Sequence, residues 1–342
     1  MGFDNTLSPP ERTPHILTGK KKFGLIQRHL WLPVLFGMVA LLPPFLGLYK
    51  GYLLNWFLTY LVAVIGFNLI LGYAGQVSLA QGAFMGIGAY TVALLTTRTG
   101  ISFWFAFPLA AAITFFLGMI LGFPALRVRT HYLAMVTVGF AVIVYEVLLH
   151  GGNFTGGPYG IHNTPRPTLG PMDLTSDVAY SYFLIAAAFL MTAIMCWILN
   201  SRWGKAFKAI RENELRAEMV GVSLRNYKLV AFAIGSSYAG IAGALLAPLL
   251  GHIDPLNFDV RLSFDFLLML IIGGSGRFEG PLLGVPIVLL VPELLRIAPM
   301  LYSIIFAVMA IFILLFMPKG AVSLWDWGFK LLTGRKAPDL TK

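Results

Sequence analysis

The polar residues that could touch a substrate or a partner gather in three places in this otherwise apolar chain. The first is the run from Gly72 to Tyr90, where Gln76, Ser78 and Gln81 stand among Gly72, Gly75, Gly82, Gly86 and Gly88. Amides and hydroxyls hold polar cargo through exchangeable hydrogen bonds, and glycines let backbones approach closely inside a membrane. Such a run suits a helix start or break lining a polar path, with Gly75, Gln76, Ser78, Gln81 and Gly82 as candidate contacts. Helix packing through Gly82 and Gly86, one turn apart, accounts for the same small residues without a path. The second run is Gly204 to Gly221, in which Phe207 and Ile210 fall three apart on one helical face. That leaves Lys208, Arg211 and Glu212 for water or a protein partner. The third is Ile272 to Gly284, whose Gly273, Gly274, Gly276 and Gly280 permit a tight reversal at membrane depth or an ordinary exposed turn. Gly273 and Gly274 join the candidate path.

None of these runs holds the parts of an enzyme. No stretch reads Gly-x-x-x-x-Gly-Lys-Ser/Thr, so ATP hydrolysis is not expected on this chain. His131, His150, His162 and His252 fall at loops or helix ends without His-x-x-x-His or Glu-x-x-His spacing, so neither a metal nor another cofactor is expected. Cys196 is the single cysteine, which excludes an internal disulfide and a cysteine cluster. Glu146, Asp265, Glu293 and Arg296 lie toward the ends of apolar runs, where snorkelling to the interface is cheap.

The elements that position these runs are hydrophobic helices. The chain has 342 residues, of which 58% are hydrophobic and 12% charged. Its mean hydropathy is +0.78. Soluble domains carry about 25% charged residues, so lipid is the expected solvent and the fold class an all-α integral membrane protein. Apolar runs at about 30–49, 53–71, 78–96, 103–123, 131–150, 178–200, 229–250, 264–275, 281–296 and 299–317 give about ten transmembrane or part-spanning helices. The runs near 264 and 281 are short for a full span. The net charge of +10 does not form one basic stripe, which disfavours nucleic acid as a partner.

Placing the N-terminus inside and alternating sides puts 20 of the 25 Lys and Arg residues in inside segments. By the positive-inside rule both termini are cytoplasmic and the crossings even in number. The expected division is a cytoplasmic tail over 1–29, a transmembrane region over 30–318 and a cytoplasmic tail over 319–342. The first 29 residues lack the pattern of a removable leader. The outside stretch 151–177 is rich in turn formers. The inside stretch 201–228 is charged and lacks Gly and Pro between Lys205 and Val220, so short surface helices are expected there. Either it is only a topology anchor of basic residues, or it docks a cytoplasmic subunit.

Gly72 to Tyr90, Tyr132 to Thr137, Thr155-Gly156-Gly157-Pro158, Gly204 to Gly221 and Gly273-Gly274 occur in the order found in one family. Together they resemble branched-chain amino acid ABC transporter permeases of the LivM type, across most of residues 50–300. The resemblance implies an importer in the bacterial cytoplasmic (inner) membrane. Its partners would be two cytoplasmic ABC ATPases, a LivH-like second permease and an extracytoplasmic solute-binding protein, with alternating access driven by ATP. It also implies that Gly204, Lys205, Phe207, Ala209, Ile210, Arg211, Glu212, Asn213, Glu214, Ala217 and Gly221 form the segment that couples to the ATPase. The family often carries Gly-His where this chain has Ala80-Gln81, and an acid where it has Val142. Related permeases serve urea, short amides or aromatic acids, so the cargo is left among these and branched-chain amino acids.

Two other classes compete on residues alone. An ion-coupled secondary transporter places acids or broken helices near the bilayer midplane, and this chain is poor in such acids. A membrane-embedded enzyme needs a nucleophile, base or metal set near one interface, and no such set is legible.

Overall fold

A computed structural model describes residues 31–125, 130–169, 172–294 and 320–321. The expected tails and the apolar run 299–317 therefore lie outside the described residues, apart from 320–321, as do Arg127, Arg129 and Arg296. The described chain is helical apart from turns and two-residue strands. Its helices are α1 (Trp31–Ala40), α2 (Leu48–Phe67), α3 (Gln81–Arg98), α4 (Phe103–Ala125), α5 (Thr130–His150), α6 (Asp177–Asn200), α7 (Arg202–Glu212), α8 (Glu214–Met219), α9 (Leu224–Leu250), α10 (Val260–Gly273) and α11 (Gly280–Leu294).

Five of these segments are long and apolar enough to cross a bilayer: Leu48–Tyr73, Phe103–Pro124, Tyr132–His150, Asp177–Asn200 and Leu224–Leu250. The expected ten runs thus resolve into fewer full-length helices among the described residues. The run at 30–49 becomes the ten-residue α1 followed by turns, while the runs near 264 and 281 become α10 and α11, of 14 and 15 residues. At 1.5 Å per residue, α10 rises about 21 Å, short of the roughly 30 Å hydrocarbon core. Asp265 is the sixth residue of α10 and half-buried, further from a helix end than its sequence position suggested.

The bundle is arranged around α9. In the most apolar stretches of α2 and α9, 78% of residues are buried, against 28% for α4 and α5 and 33% for α6. Three glycines of α9 explain its central place, because each receives a different helix. Gly235 faces Ile70 and the Gly66 carbonyl, Gly240 faces Thr114 of α4, and Gly243 faces the backbone of Met85 and Ala89 in α3. Small residues replace the missing hydrophobic drive between helices in lipid with close van der Waals packing. Tyr180 and Tyr238, both buried, donate their hydroxyls to Leu245 O (2.6 Å) and Met191 O (2.9 Å), tying α6 to α9. Phe105, Phe116, Ile120, Ile143, Val147 and Trp197 point outward from α4, α5 and α6. A lipid solvent permits that arrangement.

Two small antiparallel ladders lie at the end where α3 gives way to α4. Strand β1 (Ile161–His162) pairs with β4 (His252–Ile253), and β2 (Thr168–Leu169) with β3 (Met172–Asp173). His162 and His252 are cross-strand neighbours whose rings stack at 4.0 Å. At the opposite end lie α7 and α8, which precede the first turn of α9.

Candidate functional site

The polar centre is built by an interruption between α2 and α3. Helix α2 continues into a π-helical turn, Asn68–Tyr73, and Gly75 then takes a positive φ of 68°. Residues 75–80 have no regular structure, and α3 begins at Gln81 without a side-chain cap from Ala80. An unpaired backbone inside a bundle must find other partners. Here Gln76 N donates to Ile70 O (3.0 Å), Leu79 N to Thr137 Oγ1 of α5 (2.9 Å) and Gly82 N to Ser263 Oγ of α10 (2.9 Å). Side chains of two other helices therefore hold the interrupted segment in place.

Gln76 is 2% exposed, and Ser78 and Gln81 are fully buried. Neither carboxamide, at its oxygen or its nitrogen, has a hydrogen-bond partner among the described residues. Leaving such a group unpaired costs roughly 1–3 kcal/mol. A polar group that satisfied these amides would recover that energy. Gly75 is exposed, while a Cβ added at Gly82 would lie 3.1 Å from both Asp259 O and Ser263 Oγ, so glycine admits close packing there.

Gly273 and Gly274 belong to a separate stretch of backbone. They form the reversal between α10 and α11, where a Cβ on Gly273 would overlap the Gly280 carbonyl. Gly274 has a φ of 117° and Gly276 a φ of 77°, conformations that glycine adopts at little cost. Ala321 N donates to Ile272 O (2.7 Å), and Gly274 is buried, so protein covers this reversal.

Helices α7 and α8 present an anchored underside and a free outer surface. Ser201 caps α7 by accepting from Trp203 N (3.1 Å), and Asn213 caps α8 by accepting from Arg216 N (3.0 Å). Gly204, Phe207, Ile210 and Ala217 are buried; Phe207 packs its ring near Trp203 and Tyr227. Ala209 is half-buried, and Gly221 closes the segment at a φ of 85°. Lys205, Arg211, Glu212, Asn213 and Glu214 are exposed, with Glu214 paired to Lys228 at 2.7 Å. Leu215, Met219 and Val220, which were not singled out by sequence, are 73%, 79% and 77% exposed. Their signal was Leu215 and Met219 at i, i+4 in a segment otherwise charged.

The three polar runs, far apart in sequence, meet at one end of the bundle. Asn68 Nδ2 donates to Arg277 O (2.8 Å), and Gly276 N donates to Asn68 Oδ1 (2.8 Å). Arg211 Nη2 reaches Ser275 O at 3.5 Å, and Lys208 Nζ lies 6.0 Å from the centre of the Tyr73 ring. Asn68 was not among the sequence candidates, although an amide within an apolar run is costly unless it is paired.

A family model described as "Branched-chain amino acid transport system / permease component" matches residues 50–315. The chain belongs to that permease family. The LivM permease proteins of the high-affinity branched-chain amino acid transport systems of Salmonella typhimurium and Escherichia coli K12 are each 32% identical to it. The first aligns over 81% of this chain and 70% of its own length, the second over 80% and 70%. A probable LivM protein of Methanocaldococcus jannaschii is 24% identical over 79% of this chain and 92% of its own length. LivH permease proteins match more distantly, at 23% identity for that of Salmonella typhimurium. No solved structure matches. This permease is thus a multi-pass membrane protein of the LivM type, and the π-turn, interrupted segment and α7–α8 all fall within the matched residues.

Proposed function

We propose that this permease is the membrane-spanning subunit of an ATP-binding-cassette importer. It moves branched-chain amino acids or related small polar solutes that an extracytoplasmic binding protein delivers. Two ATPase subunits supply the energy, and a LivH-like permease completes the membrane part. In this reading the complex lies in the bacterial cytoplasmic membrane, with α7–α8 and both termini on the cytoplasmic side. Cargo passes Gln76, Ser78 and Gln81, and the chain itself carries out no chemistry.

The observation that carries the reading is the exposed apolar trio Leu215, Met219 and Val220 on a charged surface segment anchored by buried Phe207 and Ile210. Apolar side chains held in water by a rigid support mark a protein docking surface. The names of the relatives, permease proteins of branched-chain amino acid transport systems, support the transport part of the reading. A second cargo class, urea or short amides, is favoured by one feature: the buried groups facing the interruption are neutral carboxamides and hydroxyls. These can exchange hydrogen bonds with an amide as readily as with an amino acid.

The test is reconstitution of this permease with its second permease, ATPases and binding protein in proteoliposomes. ATP-dependent leucine uptake is expected. Scrambling Gly204 to Gly221 is expected to abolish co-purification of the ATPases, and an undisturbed complex would overturn the reading.

A further inference from the structure

A single carboxamide fastens the π-turn to the reversal that α7 touches from its other side. Asn68 lies in the π-turn, and its side chain uses both functions on one target: the oxygen accepts from Gly276 N and the nitrogen donates to Arg277 O, each at 2.8 Å. The α10–α11 reversal is thereby fastened to the turn that launches residues 75–80. On its other side the same reversal meets α7, where Arg211 Nη2 reaches Ser275 O at 3.5 Å. A Cβ on Gly276 would strike the Arg211 guanidinium and lie 2.6 Å from the Gly72 carbonyl, so three segments touch at this glycine. Arg211 also lies beside the start of the interrupted segment: a Cβ on Gly75 would lie 3.9 Å from Arg211 Cγ. A π-turn carries one residue more than the α-helical ladder accommodates, and such turns concentrate at functional sites.

We infer that Asn68 is a positioning residue that makes α7, the 274–277 reversal and the start of segment 75–80 move as one body. A displacement of α7 then reaches Gln76 and Gln81 with the reversal and the π-turn held in register by one amide. Without that amide the reversal and the interrupted segment each follow α7 only through their own contacts, Arg211 with Ser275 O and Arg211 beside Gly75, and their registry is lost. The inference rests on the reading of α7 as the ATPase contact, and it adds the residue through which the motion passes.

The experiment uses the whole transporter in proteoliposomes, with leucine and the binding protein, and counts leucine moved per ATP hydrolysed. Asn68→Leu removes both hydrogen bonds at nearly constant volume. Assembly and ATP hydrolysis are expected to persist while the yield of leucine per ATP falls by about tenfold, within the range of an ordinary coupling contact. Asn68→Asp keeps the acceptor for Gly276 N but loses the donor to Arg277 O, and an intermediate yield is expected. Loss of a merely structural contact would lower the amount of complex without changing that yield. An unchanged yield in an assembled Asn68→Leu complex overturns the inference, as does failure of both variants to assemble. Failure of the parent reading shows elsewhere, as leucine uptake independent of ATP in the wild-type transporter.

Discussion

The packing of α9 makes a sharp prediction about Gly243. A Cβ built there would overlap the Met85 carbonyl oxygen, and it would lie 2.7 Å from that carbonyl's carbon and 2.9 Å from Ala89 N. Carbon atoms prefer about 3.5–4.0 Å, so alanine at this position forces α3 and α9 apart by about 1 Å. Both obstacles are backbone atoms inside a helix, which no rotamer change relieves. Overpacking of this kind costs about 1–3 kcal/mol. At about 2–4 °C per kcal/mol for large domains, the midpoint of thermal unfolding falls by about 2–12 °C. Gly139 of α5 is the control, because a Cβ there meets nothing within 4 Å. Gly139→Ala is expected to change stability by no more than about 0.5 kcal/mol. The assay is thermal unfolding of the purified chain in detergent, read by tryptophan fluorescence and by the fraction surviving gel filtration. Equal midpoints for Gly243→Ala and Gly139→Ala would refute the reasoning that α9 is the close-packed centre.

Three further outcomes are expected. Gln81→Leu removes an unpaired buried amide, so the chain should unfold at the same temperature or higher, while uptake per transporter falls at least about tenfold; a stability loss with normal uptake would contradict the transit role. The double change Leu215→Glu, Met219→Glu alters only exposed side chains and should leave the melting curve unchanged while abolishing ATPase co-purification in pull-downs. Glu214→Gln breaks the pair with Lys228, whose carboxylate side is half exposed, and should cost less than about 1 kcal/mol in the same melting assay.

Much of the helix inventory was legible because a membrane demands long apolar runs, and those runs announce themselves without periodicity. The interruption before Gln81 and the paired short helices over 202–219 were legible for a similar reason, since clustered glycines and a charged, alanine-rich stretch break the apolar pattern. What residue order could not give was the meeting of Asn68, Arg211 and Gly276. These lie up to 208 positions apart, and apolar helices facing lipid on one side and protein on the other carry almost no facial signature from which to dock them. Nor could residue order show that Gly273 and Gly274, grouped with Gln76 and Gln81 as one path, turn the backbone of the α10–α11 reversal beside α7. Leu215, Met219 and Val220 passed unnoticed for a simpler reason: apolar residues in an apolar chain attract no attention until their exposure is seen.

The most direct test of the docking surface is a photo-crosslinking side chain placed at Met219, which is 79% exposed. Irradiation of membranes containing the working transporter should join this chain covalently to an ATPase subunit, and the same probe at Gly139 should not. Normal ATP-dependent leucine uptake with no ATPase adduct at Met219 would contradict the account.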